Sequence, residues 1–490
     1  MMTLMKSSEG FDAAIDLGIL RKGGFLAPPS ILPGVVRVID TVAILLSATV
    51  ATAFFAAVDQ AGAERQAVCV AAVLIFYHMI ASLRRLYALR VIANPVSRTD
   101  GVILALSAAV LMFLGLAAGF GLVESYASWW LLAFAGLSVP LLLTGRVLAW
   151  PVFRRLGEQG VIGRSIAVLG VGEQSQRFLR RLKEAQPYFF SVTGVYETRR
   201  GESDVSFVEG HPILGDVAAL LAHARKHKID DVVLAFPWSA DRQVAATVET
   251  LRELPINIYL SSDLTGCDLA YRPELGNYRE LPIFEVVQRP ISGWSAALKA
   301  VEDYALATVA LILISPLLVA IAIAIKFDSP GPVFFMQERL GFNNKVFRIY
   351  KFRSMFHRKT AEATVVQAQK KDPRVTRVGR FIRATSLDEL PQLLNVLNGT
   401  MSLVGPRPHA LSHNKEYGAQ IRGYFARHRV KPGITGWAQV NGLRGETREL
   451  EKMEARIRHD IHYADNWSLL FDLRILFVTA FVVPFQKEAY

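Results

Sequence analysis

Cysteine is nearly absent: Cys69 and Cys267 are the only two in 490 residues, the first in an apolar run and the second in a distant polar stretch. Two such thiols supply neither a disulfide framework nor a zinc pattern. Nothing in the first residues reads as a cleavable leader. The opening MMTLMKSSEGFDAAIDLGILRKGG carries acids and no apolar core before a small-residue cleavage site, which predicts a polar, partly disordered cytoplasmic tail over residues 1–35. Charge is sparse at 20% of residues, while 52% are hydrophobic. That is too greasy for an ordinary soluble enzyme and too charged for a pure membrane bundle, so a mixed membrane and cytosolic chain is expected. The net charge of +12 could suit nucleic acid. With so much apolar sequence it fits anionic lipid head groups and phosphorylated substrates better, and no nucleic-acid partner is expected.

Four apolar runs come early, at 41–58, 67–82, 102–123 and 129–150. A bilayer needs about 20 helical residues, so the first, third and fourth suffice and the second is short. Arginines stand before the first run (Arg21, Arg37), after the second (Arg84, Arg85, Arg90, Arg98) and after the fourth (Arg146, Arg154, Arg155). By the positive-inside rule this four-helix transmembrane unit, residues 36–155, keeps both ends in the cytoplasm. From residue 160 to 290 the texture changes to alternating strand and helix, the pattern of a Rossmann-like, doubly wound α/β domain. Gly170 and Gly172 turn the chain where a phosphate could approach a helix N-terminus, and Glu197 follows the second strand where a ribose hydroxyl could be held. Ser175 replaces the third glycine of that pattern, so a tight turn that binds nothing or only a regulator is the better reading. No Tyr-x-x-x-Lys pair follows, which counts against an NAD-dependent dehydratase or epimerase.

A fifth apolar run, 304–325, is long enough to span. If it did, the basic tract KVFRIYKFRSMFHRK and everything after it would lie outside the cytoplasm, against the positive-inside rule. Ser315 and Pro316 interrupt it: proline frees a carbonyl and the serine hydroxyl can bond to it. The expectation is a kinked, re-entrant helix over 304–326 with both ends cytoplasmic. Near the C-terminus, 467–485 is apolar but carries Asp472 and Arg474, which favours a helix lying in the interface.

Charged and glycine-bearing motifs crowd the last third: YKFRSM at 350–355, RFIRATSLDELPQLLNVLNG at 380–399, MSLVGPRP at 401–408 and KPGITGWAQVNGLRGET at 431–447. Asp388 and Glu389 adjoin at a helix start, where acids also suit the macrodipole for purely structural reasons. Adjacent carboxylates can instead divide labour, one attacking phosphorus and the other holding a hard divalent cation. Lys351, Arg353, Arg383, Arg407 and Arg444 are candidate diphosphate ligands, since guanidinium forks pair with phosphate oxygens. For any one of them a solvated surface arginine is the plain alternative.

Residues 294–490, through KFRSM, SLDELPQLLNVLNG, MSLVGPRP and KPGITGWAQVNG, resemble the bacterial sugar transferase family, the monotopic polyprenyl-phosphate phosphoglycosyl transferases. The resemblance implies the family's long form: a four-helix transmembrane unit, a Rossmann-like α/β domain and an α-rich catalytic domain with a re-entrant membrane helix broken at Ser315 and Pro316. It implies that Asp388 attacks the sugar-linked phosphorus of a UDP-sugar, expelling UMP, and that undecaprenyl phosphate takes the sugar phosphate from the enzyme. Glu389 would help bind Mg²⁺, and Asp460 would be a further contact to metal or substrate. The C-terminal block looks like the branch transferring glucose 1-phosphate in exopolysaccharide or capsule initiation, with the galactose branch close by. A homodimer in a bacterial inner membrane, with the catalytic domain on the cytoplasmic face, is the family-level expectation.

Overall fold

The computed structural model describes residues 27–55, 63–122, 129–185, 189–198, 205–236, 240–261, 283–357, 372–443 and 450–482. It divides into two compact units. The first, Gly24–Ser165 with Glu184–Ser191, is helical: α1 (Leu32–Phe55), α2 (Ala63–Leu83), α3 (Thr99–Gly119) and α4 (Trp129–Glu158). Helix α1 packs along α4, and α2 along α3. Leu32, Ile44, Tyr77, Phe134 and Leu142 are buried between them, while Phe54, Ile75, Leu83 and Leu111 point outward. Helices apolar on the inside and the outside suit a lipid surround rather than water. All four are long and apolar enough to cross a membrane. The second, short as an apolar run, reaches full length because its helix starts at Ala63 and takes in Glu64, Arg65 and Gln66.

One of the arginines counted as an inside marker has another task. Arg146 is buried in the bundle and grips Asp40 through Nε at 3.0 Å and Nη2 at 2.6 Å. Tyr77 and Tyr87 donate to the same carboxylate at 3.1 Å each. Four donors satisfy a charge that would otherwise be expensive among apolar helices.

The second unit contains Ile166–Lys183 and the chain from Val192 onward. Its first part is a sheet of five strands: β1 (Arg164–Leu169), β2 (Phe190–Tyr196), β3 (Asp231–Leu234), β4 (Asn257–Ser261) and β5 (Ile283–Val287), in the order β2-β1-β3-β4-β5. β1, β3 and β4 run parallel and β5 closes the edge antiparallel. Connecting it are α5 (Glu173–Ala185), α6 (Val217–Lys226) and α7 (Asp241–Leu251). The α/β alternation read from the sequence is therefore present. Gly170 has φ of 118°, and a Cβ there would stand 2.6 Å from the Ala235 carbonyl, so only glycine lets this turn pass the neighbouring strand.

The longer elements that follow include α8 (Gly293–Asp328), the antiparallel hairpin β6 (Phe334–Leu340) with β7 (Val346–Phe352), α9 (Arg377–Ala384), α10 (Gln392–Leu397), β8 (Ser402–Val404), α11 (Leu411–Gln420), β9 (Gly433–Thr435), α12 (Leu450–Asp465) and α13 (Leu469–Val482). Helix α8 runs 36 residues with Pro316 inside it. Pro316 cannot donate to the carbonyl four residues back, and the Ser315 hydroxyl donates to that same Ile312 oxygen at 2.8 Å, so the helical assignment continues through the pair. Both ends of α8 are fastened. Asp303 accepts from the Leu403 N–H and the Ser402 hydroxyl at 3.0 Å each, and Asp328 caps α9 by accepting from the Val378 N–H at 3.0 Å. The middle is bare, with Ile312 and Leu313 exposed by 67% and 74%.

Helix α13 corrects the reading of Asp472 as an interfacial charge. Asp472 is fully buried, accepting from Lys299 at 2.6 Å, Tyr463 at 2.8 Å and Trp467 at 2.9 Å. Leu470, Phe477 and Phe481 of the same helix face outward.

Candidate active site

Asp388 and Glu389 sit on a single 3-10 turn, Leu387–Glu389, which Ser386 enters with a left-handed φ of 57°. Two side chains hold that turn against β7. Asn395, fully buried on α10, accepts from the Tyr350 N–H at 2.9 Å and donates to the Arg348 carbonyl at 2.8 Å. It thus completes the hydrogen bonding of a strand edge with an amide. Leu387 packs with Ile321 and Ile325 of α8, together with Phe352 and Ile382. The dyad is in this way keyed to the far half of the helix carrying Ser315 and Pro316.

Glu389 is clamped. Lys351 of β7 donates to Oε1 at 2.8 Å, and Arg407, in the loop after β8, donates through both terminal nitrogens at 2.6 and 3.0 Å. Burial alone would push its carboxyl upward, but Arg407 and Lys351 hold it well below the usual carboxylate range. Glu389 stays ionised, and Arg407 is in turn held protonated by it. Asp388 is the opposite case. Burial, and then the neighbouring Glu389 charge, push its carboxyl up to about 6, against the pull of Lys351, Arg383 and Arg407. The pair thus contains one fixed charge and one acid poised near neutrality, the division expected when two carboxylates play two roles.

Asp388 opens onto a cavity of about 890 Å³ whose lining mixes the basic residues Lys351, Arg383 and Arg339 with the apolar Phe334, Phe335 and Met336 of the hairpin. Arg383 makes no side-chain hydrogen bond or ion pair among the described residues, and its charge acts on Asp388. The loops that frame Arg407 are held by close backbone packing: a Cβ on Gly405 would meet the Lys431 carbonyl at 2.4 Å, and one on Gly433 the Gly405 nitrogen at 2.1 Å. GPRP and KPGITG therefore lie against one another as the flanks of the parallel pair β8–β9.

The structure gathers Asp388, Glu389, Lys351, Arg383 and Arg407 and sets two others apart. Arg353 lines the cavity, but its guanidinium is turned to the end of α8. It donates to the Ser329 carbonyl at 2.6 Å, the Ser329 hydroxyl at 3.1 Å and the Pro330 carbonyl at 2.8 Å. Carbonyls orphaned at a helix C-terminus take a cation readily, so Arg353 is a latch on α8 rather than a phosphate ligand. Asp460 is buried in an ion pair with Arg427 at 2.8 Å and does not line the cavity; its charge is spent there. Arg444 lies outside the described residues. The Gly170 turn of the α/β domain is closed on itself: Ser175 accepts from the Gly172 N–H at 3.1 Å and donates to the Gly172 carbonyl at 2.7 Å.

Residues 294–486 match the family described as bacterial sugar transferase, and residues 63–262 match a CoA-binding domain. The UDP-glucose:undecaprenyl-phosphate glucose-1-phosphate transferase of Escherichia coli (strain K12) is 42% identical, over 68% of this chain and 71% of that protein. The protein of the same name from Klebsiella pneumoniae is 41% identical, over 75% of this chain and 77% of the relative. This chain belongs to the bacterial sugar transferase family. An undecaprenyl-phosphate galactose phosphotransferase of Salmonella typhimurium (strain LT2) is more distant at 30% identity, over 69% of this chain and 73% of the relative.

Two residues of this sugar transferase that bear on the site were missed in the sequence. Arg339 of β6 lines the cavity; burial, and then the charge of Arg407, bring its guanidinium down to about 10. The only cue was its place in a strand otherwise rich in large apolar residues. Arg427 is fully buried and donates to the Arg407 carbonyl at 2.5 Å. Among ARHR it looked like any other basic residue.

Proposed function

We propose that this sugar transferase moves glucose 1-phosphate from UDP-glucose to undecaprenyl phosphate, releasing UMP, as the names of its relatives state for them. The observation that carries the reading is the split dyad: a carboxyl near pKa 6 on the cavity wall beside a carboxylate locked between Lys351 and Arg407. In the first step an Asp388 oxygen attacks the sugar-bearing phosphorus, the bond from phosphorus to the bridging oxygen breaks, and UMP leaves with the electron pair. A phosphate oxygen of the lipid then attacks the same phosphorus, and the Asp388 carboxylate departs. Lys351, Arg383 and Arg339 hold the diphosphate and balance the charge that moves to the leaving oxygen. Glu389 keeps two of the basic groups in place rather than reacting.

Among the described residues no cluster of three or more His, Cys, Asp or Glu side chains is suited to a metal. The two dyad carboxylates fit a magnesium ion that arrives with the diphosphate, because Mg²⁺ commonly takes one or two protein carboxylates and fills its shell with phosphate and water. Bound there, it would neutralise diphosphate charge.

The re-entrant placement of α8 belongs to the same proposal. Drawn straight, the 25 residues from Asp303 to Asp328 would span about 38 Å, more than the roughly 30 Å of a bilayer core, yet Asp303 and Asp328 are both tied to the transferase block. A helix bent at Ser315 and Pro316, with its bare apex in lipid, fits that better than a crossing one. It keeps the catalytic block on the cytoplasmic face. The exposed apolar side of α13 would lie in the interface.

The test incubates the protein with UDP-glucose, Mg²⁺ and undecaprenyl phosphate, and follows UMP and lipid-linked sugar. UDP-galactose in parallel decides the sugar. Full turnover by Asp388→Asn would remove the nucleophile assignment.

A further inference from the structure

A second cavity, of about 380 Å³, lies within the same compact unit, where α7 and the residues at and after β5 meet Arg429 and the end of α12. Three arginines line it, Arg252, Arg289 and Arg429, against a single acid, Asp465. Arg429 is buried and pairs with Asp465 at 2.6 Å. Arg289 pairs with Asp230 at 3.7 Å, and Arg252 makes no side-chain hydrogen bond or ion pair among the described residues. Val248, Val286, Val287 and Pro290 make the rest of the wall. Excess positive charge in a concavity concentrates anions, guanidinium forks pair with phosphate oxygens, and the volume lies in the range of small-molecule sites.

The cavity also touches the machinery of the dyad. Arg429 belongs to the short helical segment Tyr424–Arg429, whose Arg427 donates to the Arg407 carbonyl and pairs with Asp460 of α12. Asp465 ends the same α12. Two ion pairs thus fasten one segment to one helix. A ligand phosphate that takes Arg429 from Asp465 loosens one of them and shifts the support of Arg407.

We propose that this cavity is an effector site for a mononucleotide-sized phosphorylated molecule, with phosphate on Arg252, Arg289 and Arg429 and an apolar body on the valine wall. Its occupancy is transmitted to Arg407 through Tyr424–Arg429. Only this second half rests on the transferase reading.

The probe is the fluorescent nucleoside diphosphate mant-ADP, titrated at fixed Mg²⁺ into full-length protein in nanodiscs. Asp388→Asn serves as the parent, and saturating UDP-glucose fills the donor site. One equivalent of mant-ADP is expected to bind, and adding Arg252→Glu should weaken it at least tenfold. No binding once the donor site is full, or equal binding with Arg252→Glu, overturns the site. In the otherwise native chain, Arg252→Glu should turn over UDP-glucose within twofold of the native rate when no nucleotide is added. Saturating mant-ADP should change native turnover at least threefold and leave Arg252→Glu unaffected. Unchanged native turnover, or an equal change in both proteins, removes the coupling.

Discussion

Replacing Glu389 with glutamine should move the acid limb of the reaction, and the direction follows from the geometry. Asp388 is raised to about 6 by burial first and by the Glu389 charge second, while Lys351, Arg383 and Arg407 oppose both. At that value about nine-tenths of Asp388 is ionised at pH 7 and about one-tenth at pH 5. The native kcat/KM for UMP release should therefore fall about tenfold between pH 7 and pH 5, since that parameter follows the free enzyme's groups. Glu389→Gln removes the raising charge and releases Lys351 and Arg407 from their counter-ion, so both changes pull the Asp388 carboxyl downward. The variant will be slow overall, yet its ratio of rates at pH 7 and pH 5 should shrink toward unity. The assay is stopped-flow or quenched release of UMP from UDP-glucose across pH 5–8. A native limb near pH 4, or a limb that moves upward in Glu389→Gln, would refute the assignment of a free nucleophile beside a clamped partner.

Arg353→Met strips the donors from the Ser329 and Pro330 carbonyls, and buried unsatisfied carbonyls cost about 1–3 kcal/mol; denaturant or thermal unfolding should show the loss, with KM for UDP-glucose changed less than in Lys351→Met. Asp40→Ala leaves Arg146 buried without its counter-ion and should destabilise the helical unit by about 3–5 kcal/mol, while Asp40→Leu combined with Arg146→Leu recovers most of it; expression and thermal stability in detergent report both. Pro316→Leu with Ser315→Ala removes the helix break, and a C-terminal reporter read for sidedness should move to the opposite face in a measurable fraction of molecules. An unchanged reporter would mean that the anchors at Asp303 and Asp328 decide the topology by themselves.

The elements that repeat locally were legible in the sequence: apolar runs, the α/β alternation, and a carboxylate pair set among basic motifs. Contacts made in space were not. Arg353 stands two positions from Lys351 in the same basic tract, and nothing nearby says that one points at Glu389 and the other at the end of α8. Asp472 read as an interruption that favoured an interfacial helix because its partner, Lys299, is far away in the chain. Arg427 carries a structural duty to Arg407 that only the folded turn creates. Ser315 is the instructive success: the hydroxyl and the carbonyl it serves are three residues apart, close enough for helix geometry to predict the bond.

The large cavity mixes its furnishings. Lys351 stands directly across the hairpin from Phe335, and Arg339 shares β6 with Phe334 and Met336. Cationic and apolar groups are interleaved on one two-stranded ribbon instead of being kept on separate surfaces. A substitution at any of these positions changes the charge and the greasiness of the wall together, so preference for a polar head and preference for an apolar tail are bound to drift as one trait while Asp388 stays where it is.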